Sequence, residues 1–306
     1  MSPGNLEIVA CPPAMSRDAL ALVMTDLTSE QRRDFAPAIS NYPVEALMVA
    51  LEDGDMCGAA WGQRQPGSTA MLWPPRFVDT GYEACGLQMI EGVCRALDSV
   101  GIRMTQVLLQ DAKAPLAATL QEAGFSLLTE LLYLNWDATV EEITLTDNLD
   151  FELYRETSAK RLAALVEETY EATHDCPALG GQRPMEEVLA GYRATGDFHP
   201  DRWLFVRESQ RDVGVLLLTD HSAANHWELL YIGLVPAARG RRLGSAIVRQ
   251  AQALAYASGA ERIVLAVDAE NSPAIKMYND TGFHVWDRRT VFVRFARVDA
   301  KTQNSS

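Results

Sequence analysis

Cysteine is sparse in this chain. Five residues, Cys11, Cys57, Cys85, Cys94 and Cys176, are scattered over 306 positions with no Cys-x-x-Cys spacing. An odd, dispersed set builds neither a disulfide framework nor a zinc site, and it fits a reducing compartment. Positive charge is short as well: 27 Lys and Arg face 41 Asp and Glu, a formal net charge of −14. That balance speaks against a nucleic-acid partner, whose phosphates call for a basic footprint; it is compatible with the steering of cationic amines, and simple solubility is the plainer reading. No window approaches an uncharged membrane span, and the first residues, MSPGNLEIVACPPAMSRD, lack the basic stretch and apolar run of a secretory signal. The absences predict a cytoplasmic protein with no metal and no membrane partner.

What is present is apolar material. Hydrophobic residues make up 48% of the 306, enough for about two cores of ordinary size. The chain is organised around Trp227 to Ser258. Leu229, Leu230, Tyr231, Ile232, Leu234 and Val235 read as a strand that Pro236 stops. Arg239-Gly240-Arg241-Arg242-Leu243-Gly244-Ser245 follows as a turn, and then Leu243, Ile247, Ala251, Leu254 and Ser258 keep the spacing of an amphipathic helix. A Gly-rich turn between strand and helix aims free backbone N–H groups at an anion and adds the positive end of the helix dipole. Taken alone, the turn is also what an ordinary βα connection with a basic edge looks like. Arg262 to Val267 then reads as a buried strand, followed by Asn271-Ser272-Pro273-Ala274-Ile275-Lys276-Met277-Tyr278 and by Gly282-Phe283.

With these residues the chain resembles the GNAT superfamily of acyl-CoA-dependent N-acyltransferases. That family's phosphate motif is Gln/Arg-x-x-Gly-x-Gly/Ala; Arg239 and Gly244 match its ends, and Arg242 stands at the inner Gly. Asn271, Ala274, Tyr278, Gly282 and Phe283 fit its later motif. The resemblance implies an α/β fold, a mixed sheet flanked by helices, with acetyl-CoA as co-substrate. It implies cofactor contacts from Arg239, Gly240, Arg241, Arg242, Leu243, Gly244, Ser245 and Asn271. It further implies a pantetheine arm paired along the strand at Leu234 and Val235, with an N–H near Leu234 facing the thioester oxygen.

The pattern is written twice. Gly244, Gly259, Pro273, Gly282 and Phe283 each follow Gly86, Gly101, Pro115, Gly124 and Phe125 by 158 positions. Five identities at one offset, all at turns or helix starts, predict two tandem GNAT-like domains, residues 1–145 and 146–306, joined near 137–150. Such tandem architecture resembles mycothiol synthase and related two-domain acetyltransferases. In the first copy a strand over Met71 to Trp73 is expected to stop before Pro74-Pro75. Its turn carries Asp79 and Glu83, with no arginine after Arg76, and acids at a helix start compete with a pyrophosphate for the same N–H groups. This copy is expected to be degenerate and non-catalytic, with a retained but altered acyl-CoA site as the alternative.

Acyl transfer to an amine needs a deprotonated nucleophile and a protonated leaving thiolate. An ordinary alkyl amine has a pKa of about 10.4, so roughly one molecule in a thousand is neutral at pH 7. Glu228 lies six residues before Leu234, an even spacing that predicts one shared face of the strand. The resemblance to mycothiol synthase-like sequences implies a catalytic Glu there, eight residues before Pro236; a surface Glu at a strand start is the plain alternative. Tyr278 is the candidate acid, or else a packed helix aromatic; His226 and Asp268 are lesser acid/base candidates. Ala70 and Leu120 stand at the corresponding places of the first copy. In the resembled family the loop after the first helix lies over the acceptor, which makes His174, Asp175 and Arg183 candidates for substrate contact, or members of a solvated loop. The expected activity is direct acetyl transfer from acetyl-CoA to a primary amine of a small molecule or peptide. The alternative is a non-catalytic acyl-CoA-binding regulator.

Overall fold

A computed structural model describes residues 5–25, 45–111, 115–138, 143, 145 and 149–296. Its contacts separate two units, one of residues 1–127 with 291–306 and one of residues 128–290. Each is a mixed α/β layer of strands and helices.

Unit 1 begins with β1 (Leu6–Ala10) and α1 (Ser16–Val23), then β2 (Leu47–Glu52), β3 (Asp55–Gln65), β4 (Thr69–Phe77), α2 (Gly86–Ser99), β5 (Met104–Leu109) and α3 (Pro115–Glu122). Its strands lie in the order β1-β2-β3-β4-β5. Helix α2 forms because Met89, Ile90, Val93, Cys94 and Leu97 recur at helical spacing and are all buried. Strand β4 does not stop before its prolines, as the sequence suggested; it runs through Pro74 and Pro75 to Phe77. It pairs with β5 only through Thr69–Met71, and its register with β3 shifts between Ala59 and Trp61, opposite the prolines, so neither neighbour demands a ladder donor there.

Strand β6 (Ser126–Asp137) leads into unit 2: β7 (Asp150–Leu153), α4 (Ala159–Thr169), α5 (Met185–Arg193), β8 (Trp203–Glu208), β9 (Arg211–His221), β10 (His226–Leu234), α6 (Leu243–Ser258), β11 (Arg262–Asp268), α7 (Ser272–Asp280) and β12 (His284–Phe295). Strand order here is β6-β11-β10-β9-β8-β7, with β10 and β11 parallel. The repeat is visible in the backbone. Gly101 and Gly259 close α2 and α6 at φ 81° and 80°, and Gly124 and Gly282 take φ 87° and 89°. Only a residue without a Cβ reaches that region at no cost.

Contacts do not divide the chain at 145/146. Strand β6, which ends the first repeat in sequence, puts Leu132, Leu134 and Trp136 into the core of unit 2. Strand β12, which ends the second, puts Phe292 into the core of unit 1, beside Leu120 and Phe125. Arg294 forks onto both oxygens of Asp98 at 2.9 and 2.6 Å, and Ala296 N–H bonds Arg103 O at 2.8 Å. Each repeat thus gives part of its last strand to the other unit. Much of the expected junction at 137–150 lies outside the described residues.

Candidate active site

In unit 2, β10 pairs with β11 only at His226–Glu228 against Arg262–Val264. Beyond that point β10 stays with β9 as far as Leu234, and β11 stays with β6 as far as Asp268. The two parallel strands therefore part, and a cavity of about 620 Å³ opens at the split. Leu229–Leu234 form one wall, Ala266 and Val267 another; α7, the turn before α6 and the segment after α4 close it.

The turn delivers an anion site in a way the sequence only half shows. Helix α6 has no side-chain cap and no acid in its first turn, so its leading N–H groups stay available. A Cβ on Gly244 would meet Met277 Sδ at 2.5 Å, so any larger residue there requires the Met277 side chain to move. Arg242 holds φ 62°, the left-handed conformation for which a glycine serves in the family motif, and it lies exposed on the cavity. An L-residue in that region costs about 1–2 kcal/mol. Arg239 lines the cavity, yet its guanidinium is engaged with protein: Nε donates to Leu234 O (3.0 Å), Nη1 to Glu171 O (2.7 Å) and Ala172 O (3.0 Å), and Nη2 to Thr169 O (2.8 Å). It brackets the end of β10 to the carbonyl end of α4, a place where a cation is favoured. Arg241 pairs with Glu208 at 2.6 Å and does not line the cavity. Val235 is also outside the lining, its N–H bonded to Val213 O at 3.0 Å.

Tyr278 enters the cavity from α7 with its ring against Phe283, centroids 5.5 Å apart. Burial first, and then the nearby Asp175 and Tyr231, push its phenol well above the ordinary range, so it stays protonated at neutral pH. His174 and Asp175 line the same cavity; Arg183 does not. Asp175 Oδ1 accepts from Asp268 N–H at 3.2 Å. Burial raises its pKa, and the Asp268 charge adds to the shift. Asp268 is 2% exposed and accepts from Thr129 Oγ1 (2.5 Å), Glu270 N–H (2.9 Å) and Cys176 N–H (2.9 Å). It latches the segment after α4 onto the end of β11 instead of facing an acceptor. Asn271 lines the cavity and caps α7 by accepting from Ala274 N–H at 3.3 Å.

Glu228 is not where even spacing placed it. Its partner on β9 is Thr219, while Leu234 pairs with Gly214, because a bulge between Leu229 and Tyr231 inserts one extra residue. Thr219 and Gly214 are five apart, so Glu228 and Leu234 point to opposite faces of the sheet. Glu228 instead shares a face with Tyr231 and Gly233, paired with Leu217 and Val215. That face carries α4 and α5: Tyr231 hydroxyl lies 2.8 Å from Thr169 Oγ1, and Thr219 Oγ1 donates to Thr195 O at 2.8 Å. Glu228 is not in the cavity lining; its Oε2 lies 2.8 Å from Nε2 of His221. His226 makes no such contact, and its ring stacks on His221 at 4.7 Å.

Sequence reading missed the aromatic cluster beside the cavity, in which Tyr231 meets Tyr170 edge-on and Tyr192 face-on, at 5.5 and 5.8 Å. Those tyrosines come from three separate elements, so no single spacing announces them. Lys276 was also missed; it lines the cavity and pairs with Asp280 at 2.8 Å. Among the described residues no cluster of three His, Cys, Asp or Glu could hold a metal, and no helix is long and apolar enough to cross a membrane.

Residues 165–283 match the acetyltransferase (GNAT) family. The mycothiol acetyltransferase of Corynebacterium glutamicum (strain R) is 33% identical over 116 residues, 31% of this chain. The chain spans only 40% of that relative's length. The mycothiol acetyltransferase of Mycolicibacterium vanbaalenii is 28% identical over 250 residues, 78% of this chain and 79% of the relative. A GCN5-related N-acetyltransferase from Sphaerobacter thermophilus superposes with a TM-score of 0.65 at 15% identity, over 97% of this chain and 98% of the other. A tandem GNAT protein from the clavulanic acid biosynthesis pathway gives 0.54 at 13% identity, over 96% and 100%. At such identities the likeness is one of fold, and that fold is the tandem GNAT architecture.

Proposed function

With a GNAT acetyltransferase domain at residues 165–283, we propose that unit 2 moves an acetyl group from acetyl-CoA directly to a primary amine of a small molecule or peptide, in a reducing compartment such as the cytoplasm. The observation that carries the reading is the split between β10 and β11, with an uncapped helix N-terminus at its mouth and a buried phenol inside. The N–H groups of Leu243–Ser245 and the charge of Arg242 hold phosphates, and the parted edge of β10 near Leu234 receives the amide-bearing arm and the thioester oxygen. Glu228 takes the proton of the acceptor ammonium from the α4–α5 face, and Tyr278 returns a proton to the leaving thiolate. The amine attacks the thioester carbonyl in one step without an acyl-enzyme, and Arg239 keeps the cradle in shape.

The names of the relatives make mycothiol lacking its acetyl group the first acceptor to try, ahead of a panel of amines and peptide N-termini. Thiol release from acetyl-CoA is the readout, with calorimetry for acetyl-CoA itself. One cofactor site per chain and amine-dependent thiol release are expected. Binding with no release across the panel overturns the transferase reading in favour of a regulator.

A further inference from the structure

His221 is a polar group that the transfer reading leaves unused. It ends β9 directly across from His226, and its Nε2 lies 2.8 Å from Glu228 Oε2. A carboxylate can only accept in such a contact, so the Nε2–H tautomer is assigned to the imidazole. We propose that His221 is the positioning residue of Glu228: its Nε2–H holds Oε2, leaves Oε1 for the acceptor ammonium, and makes transfer depend on the ring staying neutral. The proposal rests on the reading of Glu228 as the base.

The charge argument gives the dependence its sign. A neutral imidazole orients the carboxylate at little cost to its basicity. An imidazolium at hydrogen-bond distance stabilises the carboxylate and depresses its pKa by about 1–3 units, which weakens it as a base by the same powers of ten. Three carboxylates act electrostatically on the ring: Glu228 on β10, Asp220 on β9 and Asp197 on the segment before β8. Asp220 is partly neutralised by Arg202 at 3.0 Å, and Asp197 Oδ2 accepts from Ser222 N–H at 3.2 Å. His226, stacked on the ring, is itself held below the ordinary histidine range by burial and then by His221, with Arg262 acting in the same direction. The hydrogen bond that His221 donates to Glu228 outweighs burial and raises the pKa of His221. Proton release from the ring is therefore required for full activity, and the rate rises with pH through the midpoint of His221. Both side chains are half-buried, 28% and 31% exposed, so solvent reaches the pair to collect the proton.

The test uses the full chain. Proton–nitrogen NMR of the imidazoles is expected to place the His221 midpoint above about 6.5, and Glu228→Gln is expected to lower it by half a unit or more. A midpoint indifferent to Glu228→Gln overturns the pairing whether or not an acceptor is turned over. With acetyl-free mycothiol as the probe, His221→Phe is expected to lower kcat about 10- to 100-fold, with KM for acetyl-CoA unchanged. His221→Gln keeps an N–H toward Oε2, so it is expected to restore most of kcat at pH 8 and to abolish the fall in rate through the His221 midpoint, leaving only the fall at lower pH that belongs to Glu228 itself. Wild-type kcat and pH profile in His221→Phe overturn the proposal. If Glu228→Gln is then slow, His221 alone was misassigned; if Glu228→Gln is also at wild-type rate, the reading of Glu228 as base is what fails.

Discussion

The entrances to α2 and α6 lie one repeat apart and differ in what occupies them. Before α6, the turn has no acid and no side-chain cap, and Arg242 faces the cavity. Before α2, Asp79 caps a turn of 3₁₀ helix by accepting from Gly81 N–H at 3.4 Å, and Glu83 sits in its first turn. Tyr82 hydroxyl donates to Glu52 at 2.6 Å, which raises its pKa to about 12. Phe77 fills the space beside the helix start, so that a Cβ on Gly86 would lie 3.9 Å from its ring. Glu228 and Tyr278 have Ala70 and Leu120 as counterparts, both fully buried. The three-rung parallel pairing survives in both units. A fold can therefore keep its split sheet while the side chains that would hold an anion and move protons are exchanged for a cap and a core.

The largest effect that would sharpen this contrast is on turnover. Glu228→Gln is expected to lower kcat about 10²- to 10⁴-fold at neutral pH, with partial recovery at high pH where the amine ionises unaided. Next comes the helix entrance: Gly244→Val should weaken acetyl-CoA binding by about 100-fold, or ~2.7 kcal/mol, in calorimetry. Gly86→Val should leave that isotherm unchanged, and two equivalent sites per chain would break the comparison. Tyr278→Phe should lower kcat about 10²-fold while acetyl-CoA affinity holds, since the hydroxyl acts late at sulfur. Arg242→Gly should raise thermal stability by about 1 kcal/mol through relief of the left-handed residue, and weaken acetyl-CoA binding in a salt-dependent way. The smallest effect concerns Asp175. Its folded-state pKa is raised, so its contribution to stability is present below the unfolded value and lost as pH rises through the folded one. Asp175→Asn should therefore gain more Tm relative to wild type at pH 7 than at pH 5.

Much of this was legible in the residues. The βα turn, the helix motif and the repeat are carried by Gly and Pro at positions where the backbone needs them, and those needs are local. The bulge at Leu230 was not legible, because Leu229 to Leu234 is an almost unbroken apolar run that reads as strand in either phase. One inserted residue turned Glu228 to the α4–α5 face, and periodicity could not see it. The engagement of Arg239 with four carbonyl oxygens was hidden for a different reason: three of them belong to Thr169 at the end of α4 and to Glu171 and Ala172 just after it, some seventy residues away. The exchanged strand ends escaped notice because a strand of this composition satisfies either core.

That exchange also sets an order of events during synthesis. All of unit 2, through Thr290, leaves the ribosome before Val291–Phe295, yet those last residues belong to unit 1. Unit 1, most of which is made earlier, must wait with the place of Phe292 unfilled until all of unit 2 has been made. A stop codon after position 290 would therefore strike the other unit: unit 2 would retain every residue of its own, while unit 1 would lose Phe292 from its core and the Arg294 clamp on Asp98.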